Sequence, residues 1–248
     1  MSIANTLYDD LAREIDEIPL RDRHVEDVRE EVILPAYVFD VPPLDEFMNP
    51  DPDVIDRETT LKEKRSLLGS YRPMRSPGEI NLYRNNLRDF FWSLISSISR
   101  LGHPVTKPDL RAGLWLTIIK TYNHEIFHYY CDVLHKLFGG SYVALEEEAL
   151  AVAWSRLKIL HDQKDGRTTI SNMAPNIFNL IIAHAFQYKS PGYIDWQKYP
   201  DEQCFKKGFG QYIHPPNYNF LQVSDVLIDD LLFAMLEKIN HGFDENLV

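Results

Sequence analysis

Residues 121–130 read Thr121-Tyr122-Asn123-His124-Glu125-Ile126-Phe127-His128-Tyr129-Tyr130, a His-Glu-x-x-His pattern inside a strongly apolar run. On an α-helix, positions four apart share one face, so the imidazoles of His124 and His128 can reach a single metal ion. Glu125 lies one position round the helix. There it is placed to accept a proton beside the ion rather than to ligate it. The stretch holds no proline and no charge besides Glu125, as a buried, site-bearing helix requires.

The helix begins near Pro108, a good first-turn residue, and runs to Gly139-Gly140. That is long for a globular helix, and Gly113 is the candidate for a break. Upstream, Leu87, Phe90, Phe91, Leu94, Ile95, Ile98 and Leu101 form a helical stripe that Gly102 and Pro104 end. Before it, Ser76-Pro77-Gly78 signals a turn, and Glu79–Tyr83 alternates with period two, as a half-buried strand does. Downstream, a helix is expected from about Leu145 to Asp162 and another over 174–188. The second carries Ile177, Leu180, Ile181, His184 and Tyr188 on one side. Tyr193 to Asn219, rich in aromatics and prolines, reads as ordered loop. A last helix spans about Asp225 to Asn240, capped by Ser224 and stopped by Gly242.

The N-terminal quarter differs from the rest. Residues 1–60 carry 17 acidic and 5 basic side chains, which leaves 20 acidic and 21 basic over the remaining 188 residues. Residues 3–18 show helical spacing at Ile3, Leu7, Leu11 and Ile15, and residues 32–39 read as a short strand. Six of the 15 prolines fall between Pro19 and Pro52, which argues for extended chain there. Neither part offers the basic stripe that phosphate backbones need, so nucleic acid is not an expected partner. No apolar run reaches the roughly 20 residues of a membrane span, and the N-terminus lacks the features of a secretory signal. Two cysteines, Cys131 and Cys204, are too few for a thiolate metal site or a disulfide framework. A cytoplasmic protein with no membrane partner is expected.

The helix resembles the active-site helix of the zincin metallopeptidases. The metzincin branch needs Gly three residues and His six residues after the second histidine. Cys131 and Leu134 stand there instead. The gluzincin branch takes its third ligand from a glutamate about 19 or 20 residues on, where Glu147 and Glu148 stand. The run Glu147-Glu148-Ala149-Leu150-Ala151 resembles that branch's Asn-Glu-Gly-x-Ala, which favours Glu148, with Glu147 as the alternate. Helical geometry puts Glu148 on the side of Val152 and Ile159 and turns Glu147 toward water, while Glu146 is spaced too short. Asp132, four residues after His128, matches a ligand-orienting aspartate of the thermolysin-like members. Val152 departs from their second aspartate. The likeness covers roughly residues 78–160 and singles out no one family.

This resemblance implies an α+β, mostly helical fold, with a zincin-like core, a short edge-strand sheet and a long active-site helix. Residues 1–69 would form an acidic, proline-rich arm, lid or pro-segment with a possible regulatory contact, and residues 70–248 the catalytic domain. The implied activity is hydrolysis of a peptide or protein substrate with Zn2+ held by His124, His128 and Glu148, and with Glu125 as general base. A downstream Tyr or His usually stabilises the oxyanion. His184 and Tyr188 are the leading candidates, with Tyr212 and His214 behind them. Glu79–Tyr83 is the expected substrate-holding strand. Cys131, one turn past His128, is read as a small apolar core residue. A di-iron bundle would need a second Glu-x-x-His, and the chain has only Glu125–His128. The other alternative is a catalytically silent zincin fold that keeps its metal for binding or sensing.

Overall fold

The computed structural model describes residues 3–18, 67–72, 79–138, 142–166, 168–213, 233–234 and 236. Among them the chain is mostly helical, with one small antiparallel sheet. Helix α1 spans Ile3–Glu17, and strands β1 (Gly69–Arg72) and β2 (Glu79–Leu82) pair with Gly69 opposite Leu82 and Arg72 opposite Glu79. Helices α2 (Arg84–Arg100), α3 (Lys107–Phe138), α4 (Ala144–Asp165), α5 (Pro175–Ala185) and α6 (Glu202–Ile213) follow. Short 3-10 helices cover Thr169–Asn172 and Tyr193–Lys198. The expected strand at 32–39 lies outside the described residues. Of the expected helix at 225–240, Phe233, Ala234 and Leu236 are described, and all three are helical.

Helix α3 organises the rest. Its start is a capping box: the Thr106 backbone N–H and hydroxyl donate to Asp109 Oδ2 at 3.0 and 2.6 Å, and the Asp109 N–H returns to the Thr106 hydroxyl. The other Asp109 oxygen accepts from the Ala174 N–H at 2.8 Å, which ties the start of α5 to the start of α3. The helix runs unbroken for 32 residues, with no break at the candidate position Gly113. Gly113 instead serves packing. A Cβ there would meet Ile181 Cδ1 at 3.1 Å, so its absence lets α5 lie close.

Helix α1 shares this core. Leu11 and Ile15 are buried, Tyr8 packs edge-on against Trp115, and Glu14 accepts from Arg88 at 2.8 Å and from Trp92 at 3.3 Å. Asp10 and Asp16 pair with Arg84 and Arg111, so the acidity of α1 meets the bases of α2 and α3. A boundary between residues 69 and 70 falls inside β1.

Helix α2 buries the expected stripe from Leu87 to Ile98. Leu101 is the exception, exposed where Gly102 turns the chain at φ 76°. Helix α4 is buried without interruption from Glu147 to Ser155, because α3, the Tyr193–Lys198 turn and α6 all pack on it.

The segment from Tyr193 is not the expected loop. Phe205, Phe209 and Ile213 line one face of α6, where Phe205 stacks on Phe209 and on Trp154. Gly208 and Gly210 lower the helical propensity of that stretch, and burial overrides them. At Gly208 a Cβ would fall 2.2 Å from the Tyr199 ring, so close packing explains the glycine. Among the described residues, no helix is long and apolar enough to cross a membrane.

Candidate metal centre

Four turns of α3 place Lys120, His124, His128 and Asp132 in one row, with Thr121 and Glu125 beside it. This row forms one wall of a cavity of about 620 Å3. Residues 67–71, which include Gly69, Ser70 and Tyr71 of β1, form a second wall, and α4 contributes Glu147, Glu148 and Ser155. The volume is within the range of about 300–1,000 Å3 usual for ligand sites.

His124, His128 and Glu148 meet at this cavity. His124 Nε2 lies 3.0 Å from Glu148 Oε2, His128 Nε2 lies 3.5 Å from Glu148 Oε1, and the two Nε2 atoms are 3.3 Å apart. One ligand atom from each of these three buried residues falls within 4.8 Å of the others, so the group could hold a metal ion. The chemistry of the donor set fits. Glu148 Oε2 is buried without a hydrogen-bond partner among the protein atoms, and two imidazole nitrogens face each other across the gap. A cation between them resolves both features.

Glu147 does not face water. It is 4% exposed, and its Oε1 accepts from His128 Nδ1 at 2.7 Å while Oε2 accepts from the Tyr212 hydroxyl. A carboxylate accepts, so Nδ1 donates to Glu147 and Nε2 is the nitrogen turned to the centre, free to give its lone pair once a cation displaces any proton there. The helical-wheel reading failed because α6 covers the side of α4 that would otherwise meet solvent. Glu147, and not the candidate Asp132, is thus the carboxylate hydrogen-bonded to His128. Asp132 itself accepts from the Tyr71 hydroxyl at 2.9 Å.

Electrostatics follow from burial and pairing. Burial opposes charge on His128, but Glu148 and Glu147 outweigh it and hold the imidazole well above its usual range. Burial likewise opposes charge on Glu148, yet His128 and His124 keep it well below the usual carboxylate range. Glu125 is raised by burial against the pull of both histidines. The Tyr71 backbone N–H donates to its carboxylate.

The strand beside the site is β1, not the expected Glu79–Tyr83 segment. A Cβ on Gly69 would meet Thr121 Cγ2 at 2.8 Å and Glu125 Cγ at 2.9 Å, so glycine permits the approach. β2 pairs with β1 away from the cavity, and its residues do not line it.

Of the downstream candidates, Tyr188 lines the cavity and His184 does not. His184 is half-buried on α5. Tyr212 sits on α6 behind Glu147, and His214 lies outside the described residues. Cys131 is buried, and burial pushes its thiol well up.

Two cavity residues had escaped the sequence reading. Tyr193 stacks on His124 with ring centroids 5.6 Å apart, and its hydroxyl donates to Glu148. It is carried there by the turn at Gly192, at φ 80° against Leu145. Lys120 has a visible signal, being the one Lys or Arg between Arg111 and Lys136. Compared with family models, curated proteins and solved structures, the chain finds no match.

Proposed function

We propose that this protein is a zinc-dependent metallopeptidase of gluzincin type with a zincin-like core. The observation that carries the reading is the buried His124–His128–Glu148 group with Glu125 at the cavity wall beside it. Two imidazoles and one carboxylate, with room for water, form the donor set of catalytic zinc sites. Zinc bound there would supply a Lewis acid that lowers the pKa of water and polarises a carbonyl.

The chain's own residues do the rest. Glu125, steadied by the Tyr71 N–H, accepts the proton of the attacking water and returns it to the leaving amine. Burial raises its affinity for protons, the direction that favours accepting one. Tyr193, whose hydroxyl already reaches Glu148, donates to the oxygen that gains charge, the role first assigned to His184 or Tyr188. The edge of β1 not taken by β2 runs beside Glu125, which supports an extended peptide pairing along it. A purely structural metal site has no use for Glu125, which weighs against the silent alternative.

The test is metal content and peptide hydrolysis for wild type, His124→Ala, Glu148→Gln and Glu125→Gln. The expected result is about one zinc per chain, lost in His124→Ala, weakened in Glu148→Gln and kept in Glu125→Gln with hydrolysis abolished. Folded wild type that takes up no zinc overturns the reading. Zinc uptake without hydrolysis of any peptide leaves the binding or sensing protein.

A further inference from the structure

Lys120 is 3% exposed and lines the cavity one helical turn before His124. Its Nζ lies 5.1 Å from the Phe90 ring centroid, 5.6 Å from Phe186 and 5.1 Å from Tyr188. Ser155 Oγ donates to its backbone carbonyl at 2.7 Å, which locks this turn of α3 against α4. Among the described residues, no carboxylate forms an ion pair with the ammonium. Among the described residues it is the one Lys or Arg lining a cavity whose carboxylates are Glu125, Asp132, Glu147 and Glu148, beside three histidines.

A buried ammonium without a counter-charge is costly, and aromatic faces offset only part of that cost. Burial accordingly pushes Lys120 down to about 7, with Glu125 pulling the other way. An apolar residue of similar length would fill the space at less cost. A carboxylate arriving in the cavity would supply the missing partner.

We propose that Lys120 determines the specificity of the site, receiving a carboxylate of the bound peptide about one helical turn, or roughly 6 Å, from the His124 position. That carboxylate is the peptide's own C-terminus or an Asp or Glu side chain within a residue or two of the scissile bond. The inference rests on the peptidase reading and extends it to a substrate class.

The test uses the full chain, zinc-loaded, as the Glu125→Gln variant, which binds without turning over. Two random-sequence peptide libraries, one with free C-terminal carboxylates and one amidated, are passed over it, and the retained peptides are sequenced. Wild-type protein is given the same libraries and its cut sites are mapped. If Lys120 reads the terminus, free-acid peptides are retained about 10- to 100-fold over amides, the worth of a charge-assisted hydrogen bond. If it reads a side chain, amidated peptides are retained with Asp or Glu enriched at one position. Adding Lys120→Met erases either preference at unchanged zinc content, and Lys120→Arg keeps most of it. Peptides bound or cut with no carboxylate preference overturn this inference and leave the peptidase reading standing. A preference that survives Lys120→Met overturns it too. No peptide bound or cut overturns the peptidase reading itself, and this inference with it. If Lys120→Met fails to fold, Lys120→Gln takes its place, and a wild-type library without a carboxylate preference overturns the inference on its own.

Discussion

His128 donates from Nδ1 to Glu147 Oε1 at 2.7 Å, and the same glutamate is held from behind by the Tyr212 hydroxyl. A residue of α6 thus sets the tautomer of a candidate metal ligand on α3 through a carboxylate on α4. Glu147→Gln should keep the shape but loosen the tautomer, weakening zinc affinity by about 10- to 100-fold. Tyr212→Phe should cost less, because the bond to His128 survives. Competition titration against a chelator measures both. Equal affinity in all three proteins would return Glu147 to the status of a packed helix residue.

Gly69 brings β1 against the metal-bearing helix. Gly69→Ala places a methyl group 2.8 Å from Thr121 Cγ2 and 2.9 Å from Glu125 Cγ, so β1 or Glu125 must shift. A loss of about 1–3 kcal/mol is expected from such overpacking. Hydrolysis should fall further than stability alone explains, because Glu125 is displaced. Chemical denaturation paired with a rate measurement separates the two effects, and an unchanged rate counts against the close approach.

Lys120 predicts the pH dependence of stability. Its proton affinity is lowered by burial to about 7 from the ordinary 10.5. The unfolded chain therefore binds the proton more tightly, and stability rises with pH between those values by about 1.4 kcal/mol per pH unit. Below pH 7 both states are protonated and the full cost of the buried charge is present. Lys120→Met removes the cost, so its advantage over wild type should be greatest at and below neutral pH and shrink toward pH 10. Denaturation midpoints across that range test the slope. A constant difference would mean that the folded lysine keeps its ordinary proton affinity.

Helix α1 behaves as part of the core. Ile15 is fully buried, and Ile15→Ala should cost about 2–5 kcal/mol. The ion pair of Arg84 with Asp10 is solvent-exposed, so Asp10→Asn should change little. Thermal unfolding distinguishes the two. An arm that acted as a detachable lid would leave the melting temperature unmoved in both variants.

The helices were legible where apolar spacing was regular. The stripe from Leu87 to Ile98 and the helix around His124 follow from local periodicity, which a chain expresses whatever packs on it. Helix α6 was hidden because Gly208, Gly210 and the neighbouring prolines read locally as loop. The stacking of Phe205 on Trp154, from a helix about 50 residues earlier, and of Phe209 on Phe205 is what holds it.

The pairing of His124 with His128 needed only the pitch of one helix, so it could be read from the order of residues alone. The choice between Glu147 and Glu148 needed more. Both lie near α3, and their roles divide according to which oxygens the rest of the fold directs at the histidines. Glu148 points between the two Nε2 atoms, while Tyr212 draws Glu147 to the far side of His128. Lys120 shares the helical row of His124, but Tyr193 reaches the cavity as Glu148 does. Its position depends on how separate elements pack, and side-chain contacts across distant segments leave no period in the sequence to read.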